Sequence, residues 1–125
     1  VLIGVVVNPS KKSLFTTKIR ELMLNEIISE TPNISTKTFE GLLVDFAKVN
    51  NVQAIVKGLR AMTDFDYEFQ MAQMNSNLAD FETIFIPASP EYGYVSSSMV
   101  KEINSYGGDI SKLVPPNVLK RMDDA

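Results

Sequence analysis

Val1-Leu2-Ile3-Gly4-Val5-Val6-Val7, followed by Asn8-Pro9-Ser10-Lys11-Lys12-Ser13, decides the class of the fold. The first seven residues are nearly all apolar and rich in β-branched side chains. Such a run reads as a strand buried on both faces, the kind found in parallel sheets. The six that follow carry turn chemistry and stop it. Thr16 is then placed to cap a helix in which Ile19, Leu22, Met23 and Ile27 share one face, ended by Thr31-Pro32-Asn33.

The same alternation continues along the chain. Residues Ile34 to Phe39 predict a short strand, and Gly41 opens a short helix with Leu42, Leu43, Phe46, Ala47 and Val49 apolar. Ala54-Ile55-Val56 predicts a third strand, stopped by Lys57-Gly58-Leu59-Arg60. Thr63 and Asp66 fit a loose capping box for a helix running to about Leu78. Thr83 to Ile86 predicts a fourth strand bounded by Pro87. A helix follows from about Met99 to Gly107-Gly108, and Pro115-Pro116 suits the first turn of a last one over Asn117 to Met122. Strands alternating with helices predict an α/β domain with a mainly parallel sheet, in one domain over residues 1–125. Phe65, Phe69 and Leu78 are expected in the core, with Met62, Met71, Met74 and Met99 filling gaps in it.

Composition narrows the chemistry. Hydrophobic residues at 45% and charged residues at 22% of 125 are ordinary for a globular chain, so disorder is not expected. No apolar run approaches the ~20 residues of a membrane-spanning helix. No signal-peptide pattern is seen, and a cytoplasmic protein without membrane partners is expected. The chain has no cysteine, which removes disulfides and thiolate metal sites. It also has no histidine, which removes the commonest general base and the Ser-His-Asp and Cys-His constellations. A net charge of −3 disfavours nucleic acid as a partner, so any anionic ligand needs a local basic cluster.

In open parallel sheets ligands bind beyond the carboxyl ends of the strands. Three such ends carry candidates: Lys11 and Lys12 after the first strand, Lys57 and Arg60 around a glycine after the third, and Ser96-Ser97-Ser98 after the fourth. Lysine pairs are often only solvated charge, and one serine suffices as a helix cap. Taken together, four cations and a helix N-terminus describe a polyphosphate site. Neither the dinucleotide-binding glycine fingerprint nor a P-loop is present. Asp64, Asp66 and Glu68 suit a helix start, or could pair with Arg60 or hold Mg²⁺. Tyr92 and Tyr94 could stack on a base or cover the core.

Several of these segments resemble those of bacterial phosphopantetheine adenylyltransferases. Lys57-Gly58-Leu59-Arg60, continuing through Asp64-Phe65-Asp66-Tyr67-Glu68 to Gln73-Met74-Asn75, is similar to that family's Arg/Lys-Gly-Leu-Arg…Asp-Phe-Glu-Tyr-Glu segment. Asn8 to Phe15 resembles its lysine loop, and Tyr94 to Glu102 its Ser-Ser-Ser segment. Gly107-Gly108-Asp109-Ile110 and Pro115-Pro116-Asn117-Val118 also fit, and the wording looks closest to actinobacterial members.

The resemblance implies a Rossmann-like nucleotidyltransferase fold and transfer of AMP from ATP to 4′-phosphopantetheine, giving dephospho-coenzyme A and pyrophosphate. It implies Mg²⁺ with ATP, a homohexamer, and coenzyme A as a feedback ligand. Lys11 and Arg60 would be catalytic. Lys11 and Lys57 would meet the phosphate of phosphopantetheine, and Leu43 would line its arm. Gly58, Leu59, Arg60, Glu68, Tyr92, Gly93, Tyr94, Val95, Ser96, Ser97 and Ser98 would bind ATP. Lys57 departs from the arginine of many members, keeping charge but losing the bidentate fork.

Members of the family also begin with a strand and a Thr/Ser-Phe-Asp-Pro-x-Thr-x-Gly-His motif that has no counterpart here. A first βα unit of roughly 30 residues is therefore expected to be missing, and these 125 residues alone are expected to be inactive and poorly soluble. Two other readings stand beside the enzyme: a non-catalytic nucleotide- or coenzyme-A-binding module, and a fragment completed by another chain.

Overall fold

Thr16 starts the first helix as its side chain suggests: Oγ1 accepts the backbone N–H of Ile19 at 3.3 Å. In the computed structural model, which describes residues 1–125, this helix α1 (Thr17–Ile27) connects strands β1 (Leu2–Val7) and β2 (Ser35–Glu40). The two strands pair in parallel from Leu2 opposite Ser35 to Val7 opposite Glu40. Parallel neighbours need such a crossover, because a tight hairpin cannot reverse the chain twice.

The pattern recurs. Strands β3 (Ala54–Leu59) and β4 (Glu82–Pro87) are parallel, from Ala54 opposite Glu82 to Leu59 opposite Pro87, and α3 (Met62–Leu78) crosses between them. Helix α2 (Leu43–Val49) precedes β3, while α4 (Ser97–Ser105) and α5 (Pro116–Asp123) follow β4. The α/β architecture with parallel strands expected from the sequence is therefore present. β1 is hydrogen-bonded to β2 alone, and β3 to β4 alone.

The chain forms two compact units. The first, residues 1–41 with 97–125, holds β1, β2, α1, α4 and α5 and buries Val5, Met23, Val100, Ile110 and Met122. Helices α1 and α5 are tied by Arg121, which donates two bonds to the Glu26 carboxylate at 2.7 and 2.9 Å, and by Asn117, which donates to Glu26 Oε2 at 2.8 Å and to the Met23 carbonyl at 3.0 Å. Helix α4 ends where Gly107 takes φ +74°, a left-handed position. There the N–H of Gly108 reaches back to the Ile103 carbonyl at 2.9 Å.

The bonds from Arg121 and then Asn117 hold the Glu26 carboxyl below the usual glutamate range. The folded state therefore binds this proton less readily than the unfolded chain does. Its stabilisation is present above the unfolded pKa and is lost as pH falls through the folded one. Glu26→Gln should lower the thermal midpoint at neutral pH. The gap to wild type should close as pH drops below the ordinary glutamate range, as read from melting curves at a series of pH values.

The second unit, residues 42–96, is built on Val44 and Ala47 of α2 packed with Ala79 and Phe81, and Val52 and Ile55 lie against them. Along β3 and β4 exposure alternates: Ile55, Lys57, Leu59, Thr83 and Phe85 are half-buried. Val56, Ile84 and Ile86 face the other way and are 61%, 49% and 51% exposed.

Several sequence expectations are corrected. β1 is not buried on both faces: only Val5 is fully buried, since β2 is its single ladder partner. Helix α3 buries none of its residues fully. Phe65 is half-buried, stacked on Phe69 at 5.4 Å and edge-on to Phe85 at 5.6 Å, while Phe69 and Leu78 remain about half exposed. Met62, Met74 and Met99 are exposed rather than packed as gap-fillers. Apolar spacing on a helix marks a face, but it does not say whether anything covers that face.

Candidate functional site

Lys57 was expected in a turn beyond the third strand, projecting over the sheet edge. The ladder instead continues through Lys57, Gly58 and Leu59, which pair with Phe85, Ile86 and Pro87, so only Arg60 lies past the strand. Alternation places Lys57 on the half-buried face with Ile55 and Leu59. There its Nζ sits 3.4 Å from Glu68 Oε2, a residue within α3. A pocket of about 190 Å³ opens beside this pair. Leu42, Leu43, Met71, Met74 and Leu78 give it apolar walls, and Asn75 adds an amide next to the Lys57 and Glu68 charges.

Two other predicted residues, Arg60 and Val95, meet directly. The Arg60 guanidinium donates from Nη1 to the Val95 carbonyl at 3.0 Å, and its Nε lies 3.6 Å from Asp64 Oδ2. The same carboxylate oxygen accepts the backbone N–H groups of Arg60 and Ala61 at 3.2 and 3.3 Å. Asp64 thus caps α3 from inside the helix while holding Arg60. This corrects the expected capping box: the helix begins at Met62, and Asp64 does what was assigned to Asp66. Of the roles left open for the acidic group, Asp64 fills two: it serves the helix start and pairs with Arg60.

Tyr92, Gly93, Tyr94 and Val95 form a tight turn. The N–H groups of Tyr92 and Gly93 both donate to the Ser89 carbonyl, at 3.0 and 2.8 Å, and Val95 donates to the Tyr92 carbonyl at 3.0 Å. A side chain at Gly93 would stand 3.2 Å from Ser89 O, so the turn suits glycine. Tyr92 and Tyr94 are 53% and 63% exposed and do not cover the core. The carboxylate of Glu91 accepts from the Tyr92 hydroxyl and pushes its pKa up.

The predicted residues divide between the units. Leu43, Lys57, Gly58, Leu59, Arg60, Glu68 and Tyr92 to Ser96 belong to the second. Lys11, Ser97 and Ser98 belong to the first, with Lys11 exposed in its turn and Ser97 and Ser98 opening α4. The sequence reading gave Asn75, Met71 and Met74 no site role. The available signal was the order along α3, with Met71 three residues after Glu68, Met74 three after Met71 and Asn75 four after Met71. Nowhere do three acidic side chains converge as a metal cage.

A model of the cytidylyltransferase-like family matches residues 1–103. A phosphopantetheine adenylyltransferase from Streptomyces coelicolor is 48% identical over 124 residues, 99% of this chain and 78% of that protein. The chain belongs to the phosphopantetheine adenylyltransferase family. Proteins of the same name from Clostridium tetani and Thermobifida fusca are 46% and 48% identical, over 96% and 98% of the chain and 76% and 74% of their own lengths. Family membership makes the parallel α/β architecture Rossmann-like and the chain a nucleotidyltransferase by descent. No helix is long and apolar enough to cross a membrane.

Proposed function

We propose that the protein transfers AMP from ATP to 4′-phosphopantetheine, forming dephospho-coenzyme A and pyrophosphate. The observation that carries this reading is the site of the second unit: a small, mostly apolar pocket with Lys57 in its wall, on the strand that delivers Arg60. A cavity of about 190 Å³ is small for a whole nucleotide but suits a slender pantetheine arm, with Leu43 and the methionines along it. Lys57 would meet the phosphate that ends the arm. Arg60 would hold ATP phosphates with Gly58 and Leu59, and Glu68, released from Lys57, would face the nucleotide.

In this reaction an oxygen of the phosphopantetheine phosphate attacks the α-phosphorus of ATP. A new P–O–P link forms, and the bond to the β-phosphate breaks to release pyrophosphate. The nucleophile is already ionised, so the attack needs no strong general base. Alignment and cations carry the catalysis. With no convergent carboxylates to cage it, Mg²⁺ would arrive on the phosphates of ATP as part of the substrate.

Roles for Lys11 at the substrate phosphate, and for Tyr92 to Ser98 in the ATP pocket, are proposed on the resemblance. So are a hexamer, a cytoplasmic location and inhibition by coenzyme A, which shares the pantetheine arm. The family model covers residues 1–103, all of the second unit and part of the first. The Streptomyces coelicolor relative aligns over 99% of the chain, and both matches support one adenylyltransferase domain over residues 1–125.

The test is production of dephospho-coenzyme A, followed by mass spectrometry alongside pyrophosphate release, in the complete protein. Calorimetry with ATP and with coenzyme A runs in parallel. Turnover dependent on both substrates supports the enzyme. Tight binding of either ligand without turnover overturns it in favour of a binding module.

A further inference from the structure

Arg20 plays no part in the chemistry above, yet it spans the segment that carries Lys11. From one terminal nitrogen its guanidinium donates to the Val6 carbonyl at 3.1 Å and to the Thr17 hydroxyl at 3.0 Å. Val6 is next to last in β1, and Thr17 is the first residue of α1. A single side chain therefore joins the two ends of residues 8–16. Its Nε is buried and has no hydrogen-bond partner, so Val6 and Thr17 are its side-chain anchors.

Inside that bridge, Asn8 folds the chain. Its side-chain oxygen accepts from the N–H and hydroxyl of Ser10 at 3.1 and 2.6 Å, and its carbonyl accepts from Lys11 N–H at 3.2 Å. The Lys11 carbonyl accepts in turn from Ser13 at 3.0 Å. These bonds are local to the turn. They fix its shape, but not its placement on the strand end, because each links residues within three positions of one another. The Arg20 bond to Val6 crosses 14 positions and supplies that placement.

We infer that Arg20 is a positioning residue for Lys11, clasping the end of β1 to the start of α1 so that the lysine turn is presented in one place. The inference rests on the proposed role of Lys11 at the phosphate of phosphopantetheine. A charged donor lost from such a clasp should cost roughly tenfold in binding, the scale of one charge-assisted hydrogen bond.

The experiment compares wild type, Lys11→Ala, Arg20→Ala, Arg20→Lys and the Lys11→Ala/Arg20→Ala double variant, in the complete protein. Arg20→Ala should raise KM for phosphopantetheine roughly tenfold with KM for ATP little changed, and Arg20→Lys should recover part of the loss. The double variant should be no worse than Lys11→Ala, because residues acting through one contact are not additive. Amide exchange should quicken over residues 8–16 in Arg20→Ala. If Lys11→Ala leaves KM for phosphopantetheine unchanged, the role of Lys11 fails and the inference with it. If Lys11→Ala has its effect but Arg20→Ala multiplies it in full, or shifts both KM values and the thermal midpoint together, Arg20 only supports the fold and the inference alone is overturned.

Discussion

Phe81→Ala is expected to lower stability by about 3–5 kcal/mol, the usual cost of emptying a buried phenylalanine site. Phe81 is 6% exposed and sits in the cluster with Val44, Ala47 and Ala79, against Val52 and Ile55. That cluster joins α2 and the segment just after α3 to β3, so its loss is not confined to one element. Set against a total of roughly 5–15 kcal/mol for an ordinary domain, the loss would consume a large share. Urea unfolding reads it as a lowered midpoint at constant slope. Phe81→Leu keeps most of the volume and should cost less than about 1.5 kcal/mol. An unchanged midpoint in Phe81→Ala would show that the cluster is not the core of this unit.

The sequence made the architecture legible because the apolar runs and their stops fall at the right intervals. β1, the caps of α1 and α5, and the parallel alternation all follow from local chemistry around Val1–Val7, Thr16 and Pro115-Pro116. Burial was not legible to the same degree. Helix α3 has enough apolar residues for two faces, at Phe65 and Phe69 and at Met71, Met74 and Leu78, and spacing alone cannot say which is covered. That is why the pocket wall was read as core.

The end of β3 was misplaced for a similar reason. A lysine and a glycine ordinarily stop a strand, but here the ladder to Phe85, Ile86 and Pro87 overrides their weak preferences. The error bears on the site, because it moves Lys57 from the sheet edge to the helix-covered face beside Glu68. Capping also slipped by two residues. Asp64 and Asp66 are chemically alike, and only the backbone shows which one sits at the third helical position, where a carboxylate can reach back to the free N–H groups of Arg60 and Ala61.

Arg60→Ala should reduce kcat/KM by about 10²–10³, the loss seen when one preorganised donor to a developing negative charge is removed. Of the five N–H donors of a guanidinium, the fold uses one on the Val95 carbonyl, and the Asp64 carboxylate lies beside Nε. The rest of the fork is left for the ATP phosphates proposed to bind it, and those two partners orient it in advance. Preorganisation of this kind is what makes a cation worth more in a site than in water. Arg60→Lys should fall between wild type and alanine, since an ammonium restores charge without the planar fork.

The structural share of the Arg60→Ala effect is separable. The Arg60–Asp64 pair is substantially solvent-exposed, so removing it should cost about 1 kcal/mol or less in stability. The thermal midpoint should therefore move little while activity collapses. A kcat/KM indistinguishable from wild type would remove Arg60 from the chemistry and leave it as a tether between the start of α3 and the turn at Val95. A parallel loss of activity and stability would instead mean that this tether, rather than contact with ATP, is what the residue contributes.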